Sequence, residues 1–373
     1  MPEAKQPVVV FFFGGQSPEH EISCLTAVGV LGALDTSRFT AYGVGITRDG
    51  RWVRYSADEI AALAVGPSGA LPVVDADKPP ALLFRDGDSV LLATRDGNQL
   101  ADAIEVDLAF PLLHGPFGED GTIQGYFEML GVPYAGAGVA ASAIGMDKQL
   151  SKLVFEAAGL FIEPYLTVDE ASTVDQACQA VFDSSLLYPL YVKPARGGSS
   201  VGITRVESVE TLASAIEKAR QYDRKVIIEQ GAIGSREVEC SVLGPVPGSY
   251  LTRASRPGEV IMHTKGGFYD YEAKYLEADE AELVVPAQLP DSVVQAVHKA
   301  SVTAFEAIGC EGLARVDSFV LSDGTVLVSE INTMPGFTPI SMYPMMWQAD
   351  GLSYPDLIAD LIAQAIARPV GHR

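Results

Sequence analysis

The stretch from Arg315 to Gly336 constrains this chain most, because it reads as a β-hairpin with charge along one face. Apolar Phe319-Val320-Leu321 leads into Ser322-Asp323-Gly324, and Thr325-Val326-Leu327-Val328 leads out. Asp-Gly between two β-rich runs is a strong hairpin signal. With Asp323 and Gly324 as a two-residue turn, Asp317 pairs with Glu330 and Arg315 with Asn332. Period-two alternation sets these four on one face, with Val316 and Ile331 on the other. Directly opposed side chains sit ~4.5–5.5 Å apart at Cβ, and like charges there repel. Two facing carboxylates need a cation, and a hard ion with oxygen ligands suits Asp317, Glu330 and the neutral oxygen of Asn332. Arg315 adds a fixed positive charge beside it. The alternative is a solvated polar strand face, and a one-residue bulge at the turn spoils the register.

A chain of 373 residues has material for two or three domains. Its 48% apolar and 20% charged content is that of an ordinary soluble protein. The net charge of −22 argues against nucleic acid as a partner, since phosphate-backbone binding needs a basic face. It leaves room for a nucleotide held by locally concentrated lysines and Mg²⁺. Cys24, Cys178, Cys240 and Cys310 show no CxxC pairing and read as free thiols of a reducing compartment. The N-terminal residues lack a signal-peptide pattern and no apolar run is long enough to span a membrane, so a cytoplasmic protein with no membrane partner is expected.

Along the chain, Val8 to Phe13 is a continuous apolar run ending at Gly14-Gly15, which suits a buried parallel strand. A helical pattern covers Ile22 to Leu34, and a second strand covers Tyr42 to Thr47. The glycine turn lacks a full GxGxxG, which disfavours NAD. Residues 57–100 read as a variable insertion of little chemical content with a hairpin at Asp86-Gly87. Val106 to Leu112 is a further strand, followed by the loop His114–Gly121, a helix over Thr122–Leu130 and a short strand around Val132–Tyr134. Beyond it come a helix over Asp147–Ala158, a strand ending at Lys193, the loop Ala195–Gly202, a helix near Val209–Tyr222 and the strand Val226–Gln230. Antiparallel strands from Glu237, a loop over His263–Glu277 and a helix near Ser292–Ile308 lead to the hairpin.

A strand ending in lysine, a glycine-serine loop, a strand ending in glutamate and a carboxylate hairpin together suggest a nucleotide held between two sheets. Gly197-Gly198-Ser199-Ser200 can lie over phosphates through backbone N–H groups. Lys148 and Lys193 can neutralise phosphate oxygens, and Glu229 can accept from an adenine amino group. Singly, each has a plainer reading: a turn, or a solvated strand end.

In this order they resemble the ATP-grasp superfamily and, more narrowly, the D-alanine–D-alanine ligase family. The resemblance is carried by GGQSPEHEIS (14–23), HGPFGEDGTIQG (114–125), GAGVAASAIGMDK (136–148), VKPARGGSSVG (192–202), FYDYEAKY (268–275), LARVD (313–317) and EINTMPGF (330–337). It runs from about Val8 to Leu361, apart from the 57–100 span. It implies an α/β (α+β) chain of ATP-grasp fold in three domains. These are a Rossmann-like domain over residues 1–140 and two ATP-grasp subdomains over 141–235 and 236–373.

The activity implied is ATP-dependent ligation of two D-alanines through an acyl phosphate, for a peptidoglycan precursor. By the same resemblance, Asp317, Glu330 and Asn332 hold two Mg²⁺ (or Mn²⁺), and Lys148, Lys193, Ser199, Glu229, Glu237 and Lys274 bind ATP. Arg315 and the N–H of Gly336 form an oxyanion site, and Glu19 holds the first D-alanine's ammonium. Ser341 and the backbone of Met342 take the second D-alanine's carboxylate, while Glu19, Ser199 and Tyr275 form a hydrogen-bonded chain. The loop over 263–277 is then a lid, and a homodimer through the first domain is implied. His114 is either a general base for the second amine or a loop histidine donating to backbone or carboxylate. His20, His263, His298 and His372 show no metal-ligand spacing. A D-alanine–D-lactate ligase is the alternative activity, disfavoured by Tyr275, and a non-catalytic nucleotide binder is disfavoured by the retained Arg315 and carboxylates.

Overall fold

The structure is a computed structural model that describes residues 5–63, 65, 69–263 and 281–369. Strand β1 (Val8–Gly14) lies at the middle of a sheet of order β3-β2-β1-β7, with β2 over Thr40–Ile46, β3 over Trp52–Ser56 and β7 over Leu108–Pro111. β1 runs parallel to β2 and β7, and β3 is antiparallel to β2. Every residue of β1 is buried, which its unbroken apolar run requires. Val9, Phe11 and Phe13 face helix α1 (His20–Ala33) and the C-terminal helix, while Val10 and Phe12 face the other way.

That second face is covered by α3 (Thr122–Leu130) and by an antiparallel three-stranded sheet. Its strands are β4 (Ala81–Asp86), β5 (Ser89–Asp96) and β6 (Gln99–Glu105). The hairpin at Asp86-Gly87 is present, but the span is no idle insertion: Leu83, Val90 and Leu92 complete the core under β1. Val74, in the same span, donates its N–H to Nε2 of buried His20 at 3.1 Å. The strand expected around Val132–Tyr134 reduces to one bridge between Tyr134 and Ala109, because Pro133 cannot donate to a ladder.

Two further sheets follow. The first has the order β10-β9-β11-β8, from β8 (Tyr165–Val168), β9 (Leu190–Pro194), β10 (Thr204–Val206) and β11 (Val226–Gln230), all antiparallel. Leu190, Val192, Val226 and Ile228 turn outward onto α6 (Val174–Asp183) and α7 (Val209–Arg220), so Lys193 and Glu229 share the opposite face. The second runs β15-β14-β12-β16-β17, from β12 (Arg236–Leu243), β14 (Gly258–Met262), β15 (Ala281–Val284), β16 (Leu313–Val320) and β17 (Val326–Asn332), with β13 (Arg253–Ala254) also on β12. Its apolar face, including Val238, Cys240, Val316, Val320, Val328 and Ile331, packs against α8 (Asp291–Ala307). The polar faces of both sheets border one cavity of about 1360 Å³, lined also by the loops after β1 and β7.

The hairpin of β16 and β17 pairs Arg315 with Asn332 and Asp317 with Glu330, as its spacing predicts, but by another route. The turn is a three-residue loop: Gly324, at φ 87°, donates to Leu321 O, and Leu321 donates to Thr325 O. Val320 therefore faces Val326, one position out of the expected register, until Ser329 is left over as a bulge and Glu330 returns opposite Asp317. Without the bulge, strict alternation would put Val326 and Val328 on the face of Glu330. With it, both valines join the core and Glu330 borders the cavity.

Among the described residues, Cys24, Cys178, Cys240 and Cys310 are free, and no helix is long and apolar enough to cross a membrane.

Candidate active site

The polar face of the last sheet carries three carboxylates in a row on adjacent strands. Asp317 pairs with Glu239 of β12 on one side and with Glu330 of β17 on the other. Arg315 donates through Nε and Nη2 to both oxygens of Asp317 at 2.7 Å and lies 3.1 Å from Glu239. Burial alone would lower the guanidinium's proton affinity, but Asp317 and Glu239 override it and hold it well above its ordinary value. Asn332 donates its amide to Asp317 at 2.9 Å. Glu330 faces Lys148 at 3.5 Å. The repulsion between facing carboxylates is thus answered first by side chains. Asp317, Glu330 and Asn332 still put oxygen donors of the kind a hard divalent ion takes on one cavity wall, although among the described residues no three acidic, histidine or cysteine side chains converge as a metal-binding group.

Lys148 opens α5 (Lys148–Ala157), and its position is fixed from behind. Asp147 caps the helix by accepting from Gln149 and Leu150 N–H, is ion-paired to Lys225, and forms a backbone β-bridge with Arg196. The Lys148 N–H donates to Ala195 O at 2.9 Å and its ammonium to Gly197 O at 2.8 Å, which anchors the glycine-serine loop. In that loop Ser199 and Ser200 hold φ of 51° and 58°, a left-handed backbone uncommon for residues with a side chain. Lys193 and Glu229 are diagonal neighbours on β9 and β11 and form an ion pair of 2.5 Å. Burial would raise the Glu229 carboxyl, yet Lys152 and Lys193 hold it down at about 2.

At the other end of the cavity, His114 donates or accepts at both ring nitrogens. Nδ1 is 3.0 Å from Met334 O and Nε2 is 3.4 Å from the Thr26 hydroxyl. A bond to a carbonyl requires Nδ1–H, the geometry of the loop-histidine alternative. Glu119 holds the same two loops together, accepting from Gly115 N–H at 2.7 Å and Met334 N–H at 3.0 Å. Burial pushes its carboxyl up to about 8 against those two donors, with Glu19 adding to the rise. Glu19 lies near Gly115 and Gly198, so both glycine loops approach its carboxylate. Ser341 accepts from Thr338 N–H at 3.1 Å and precedes α9 (Met342–Ala349), whose first N–H groups open onto the cavity beside Gly336.

The cavity wall therefore gathers every sequence-predicted site residue within the described part: Glu19, His114, Lys148, Lys193, Ser199, Glu229 and Glu237, with Arg315, Asp317, Glu330, Asn332, Gly336, Ser341 and Met342. Lys274 and Tyr275 lie outside the described residues, as does most of the proposed lid. Sequence reasoning assigned no role to Glu119, Glu239, Lys152 or Glu163. Glu119 stood inside a quoted motif, and Glu239 sits two residues from Glu237 on the same strand face, so both had a local signal.

The sequence matches the family model described as D-ala D-ala ligase N-terminus over residues 8–137, and that described as D-ala D-ala ligase C-terminus over residues 154–363. It is 48% identical to the D-alanine–D-alanine ligase of Kocuria rhizophila, over 100% of this chain and 97% of that protein. It is also 48% identical to that of Kineococcus radiotolerans, over the whole of both chains. The solved D-alanine–D-alanine ligase of Coxiella burnetii superposes with a TM-score of 0.81 at 32% identity, over 97% of this chain and 94% of that one. The VanG D-Ala:D-Ser ligase of Enterococcus faecalis does so with a TM-score of 0.81 at 33% identity, over 97% of this chain and 100% of its own. With both halves matched and its length shared with these relatives, the chain belongs to the D-alanine–D-alanine ligase family, of ATP-grasp fold.

Proposed function

We infer that this enzyme joins two molecules of D-alanine, using ATP, to make D-alanyl-D-alanine for the bacterial wall. The observation that carries the reading is one cavity bordered by Lys148 at the start of α5, by Lys193 of the central sheet and by carboxylates of the last sheet, in a chain 48% identical to named ligases over its whole length. Phosphoryl transfer rests mainly on positioning and charge neutralisation, which this wall composition supplies. Lys148 and Lys193 would bind phosphate oxygens under the loop 197–200, with Glu229 and Glu237 toward the adenosine. Asp317, Glu330 and Asn332 would hold two Mg²⁺ or Mn²⁺, which neutralise phosphate charge when bound. Arg315 and the Gly336 N–H would stabilise the oxyanion formed when the second amine attacks the acyl phosphate. Glu19 would hold the first ammonium, and Ser341 with the N-terminus of α9 the second carboxylate, as helix N-termini do. His114 would fix the loop before Gly336 through Met334, and Lys274 and the chain Glu19–Ser199–Tyr275 complete the proposal.

The division at residues 140 and 235 is supported by the sheets, since the central one ends at Gln230 and the next begins at Arg236. A homodimer and a cytoplasmic location belong to the same proposal. The test is ADP release with D-alanine alone, with D-alanine plus D-lactate or D-serine, and with no acceptor. Release driven by D-alanine alone, with the dipeptide as product, is expected. Product only with D-lactate would overturn the reading, and the identity to named D-alanine ligases already disfavours it.

A further inference from the structure

Behind Glu229 lies a second lysine that the activity does not account for. Lys152 is fully buried, sits outside the cavity wall, and reaches Glu163 at 2.7 Å and Glu229 at 3.2 Å. Its ammonium also lies 5.7 Å from the Tyr165 ring. Lys193 meets the other oxygen of Glu229 from the cavity side, with 16% of its side chain exposed. Four charges thus alternate in sign through a nearly dry site: Glu163, Lys152, Glu229, Lys193. Lys152 falls one helical turn after Lys148 on the same face of α5, so one helix supplies Lys148 to the phosphate loop and Lys152 to the back of Glu229. Glu163 Oε1 is buried without a partner among the described residues, so withdrawing Lys152 would leave Glu163 wholly uncompensated.

We propose that Lys152 is a positioning residue: the fixed counter-charge of Glu229, which lets Lys193 leave that carboxylate for a phosphate group while Glu229 stays an ionised acceptor. The two lysines differ in the way this division of labour needs. Lys193 lines the cavity and is partly exposed, and Lys152 is enclosed between two carboxylates. An ionised Glu229 accepts hydrogen bonds only, so it favours the 6-amino group of adenine over the 6-oxo group of hypoxanthine or guanine. A Glu229 left without Lys152 when Lys193 departs would take up a proton, and a carboxylic acid can donate to an oxo group. The inference rests on the reading of this cavity as the ATP site with Glu229 toward the base.

The experiment compares D-alanine-dependent phosphate release driven by ATP and by inosine triphosphate, in wild type, Lys152→Met, Lys152→Arg and Glu229→Gln. Lys152→Met should raise KM for ATP and lower the ATP-to-inosine-triphosphate preference, each by about tenfold or more, with KM for D-alanine little changed. Lys152→Arg should recover most of the preference. Because Lys152→Met can fail to fold, the pair Lys152→Met with Glu163→Gln, which keeps the cluster neutral, is measured beside it and should show the same loss of base preference. An unchanged preference in a folded Lys152 variant, while Glu229→Gln alters it, overturns the inference alone. An unchanged preference in Glu229→Gln overturns the reading of the base site itself.

Discussion

Glu119→Gln offers the most direct test of the electrostatics where the loop after β7 lines the cavity. Glu119 keeps its proton up to about pH 8 in the folded chain, against an ordinary value of 4.5, with burial the main cause. Between those values the native state holds one proton that the unfolded state has released. Stability therefore falls as pH rises, by about 1.4 kcal/mol per unit, and levels off above 8. Across the whole window that is a loss on the order of 5 kcal/mol as an upper bound, since each end of the titration is gradual. Glutamine has no proton to lose, so the variant lacks this slope. It also has a single acceptor oxygen for the N–H groups of Gly115 and Met334, a cost of about 1–3 kcal/mol that does not depend on pH. The variant should therefore be the less stable protein at pH 5 and gain steadily on wild type up to pH 8. Urea midpoints of the nucleotide-free protein at half-unit steps from pH 5 to 9 measure this. Profiles that run parallel from pH 5 to 8 would refute a proton on Glu119.

Arg315→Met leaves Asp317 and Glu239 without their guanidinium and should cost about 3–5 kcal/mol in urea unfolding at pH 7.5; a loss below about 1 would show that the pairs carry little. Glu330→Gln should keep the fold, lower dipeptide synthesis by about a hundredfold or more, and lose the rise in melting temperature that Mg²⁺ with ADP gives wild type. Full activity in that variant would remove Glu330 from the metal site. Glu229, held at about 2, contributes stability that is complete above its ordinary 4.5 and is lost as pH falls toward 2, so Glu229→Gln should flatten the acid limb of the stability profile. An acid limb identical to that of wild type would contradict the burial of the Lys152–Glu229–Lys193 cluster.

Which residues line this cavity was more legible in the sequence than how they contact one another. Asp317 opposite Glu330 was readable from spacing, but only because two deviations cancel: a turn one residue longer than assumed, and the bulge at Ser329. The pattern held a clue, since Val326, Val328 and Ile331 cannot all face one side of a regular strand. Lys152 was out of reach because its partners are set by packing between elements. Glu163 lies beyond the helix and Glu229 on β11, the fourth strand after it, and neither appears in the periodicity of α5. Likewise Glu119 accepts from Met334, 215 residues away. The span 57–100 was undervalued because its alternation breaks, as in Ser89–Asp96, where Leu92, Ala93 and Thr94 are buried in succession, while Leu83, Val90 and Leu92 cover β1.

The cations of this cavity differ in how easily they can change partner, and that difference orders the site. Arg315 is bound at Asp317 through two bonds and to Glu239 by a third contact, so releasing it would expose two carboxylates to each other. Lys148 is held by one carbonyl at 2.8 Å and a carboxylate at the looser distance of 3.5 Å. Lys193 has Glu229 as its close partner, and Glu229 keeps Lys152 if Lys193 turns away. A phosphate chain entering between the sheets can therefore draw on Lys148 and Lys193 without leaving a buried charge alone, whereas it cannot draw on Arg315 or Lys152. Arg315 is thus held in place beside Asp317 and Glu239 on the carboxylate wall. Lys148, which anchors the glycine-serine loop, and Lys193 are the cations that can change partner at least cost, and the guanidinium on the carboxylate ladder is the one that is fixed.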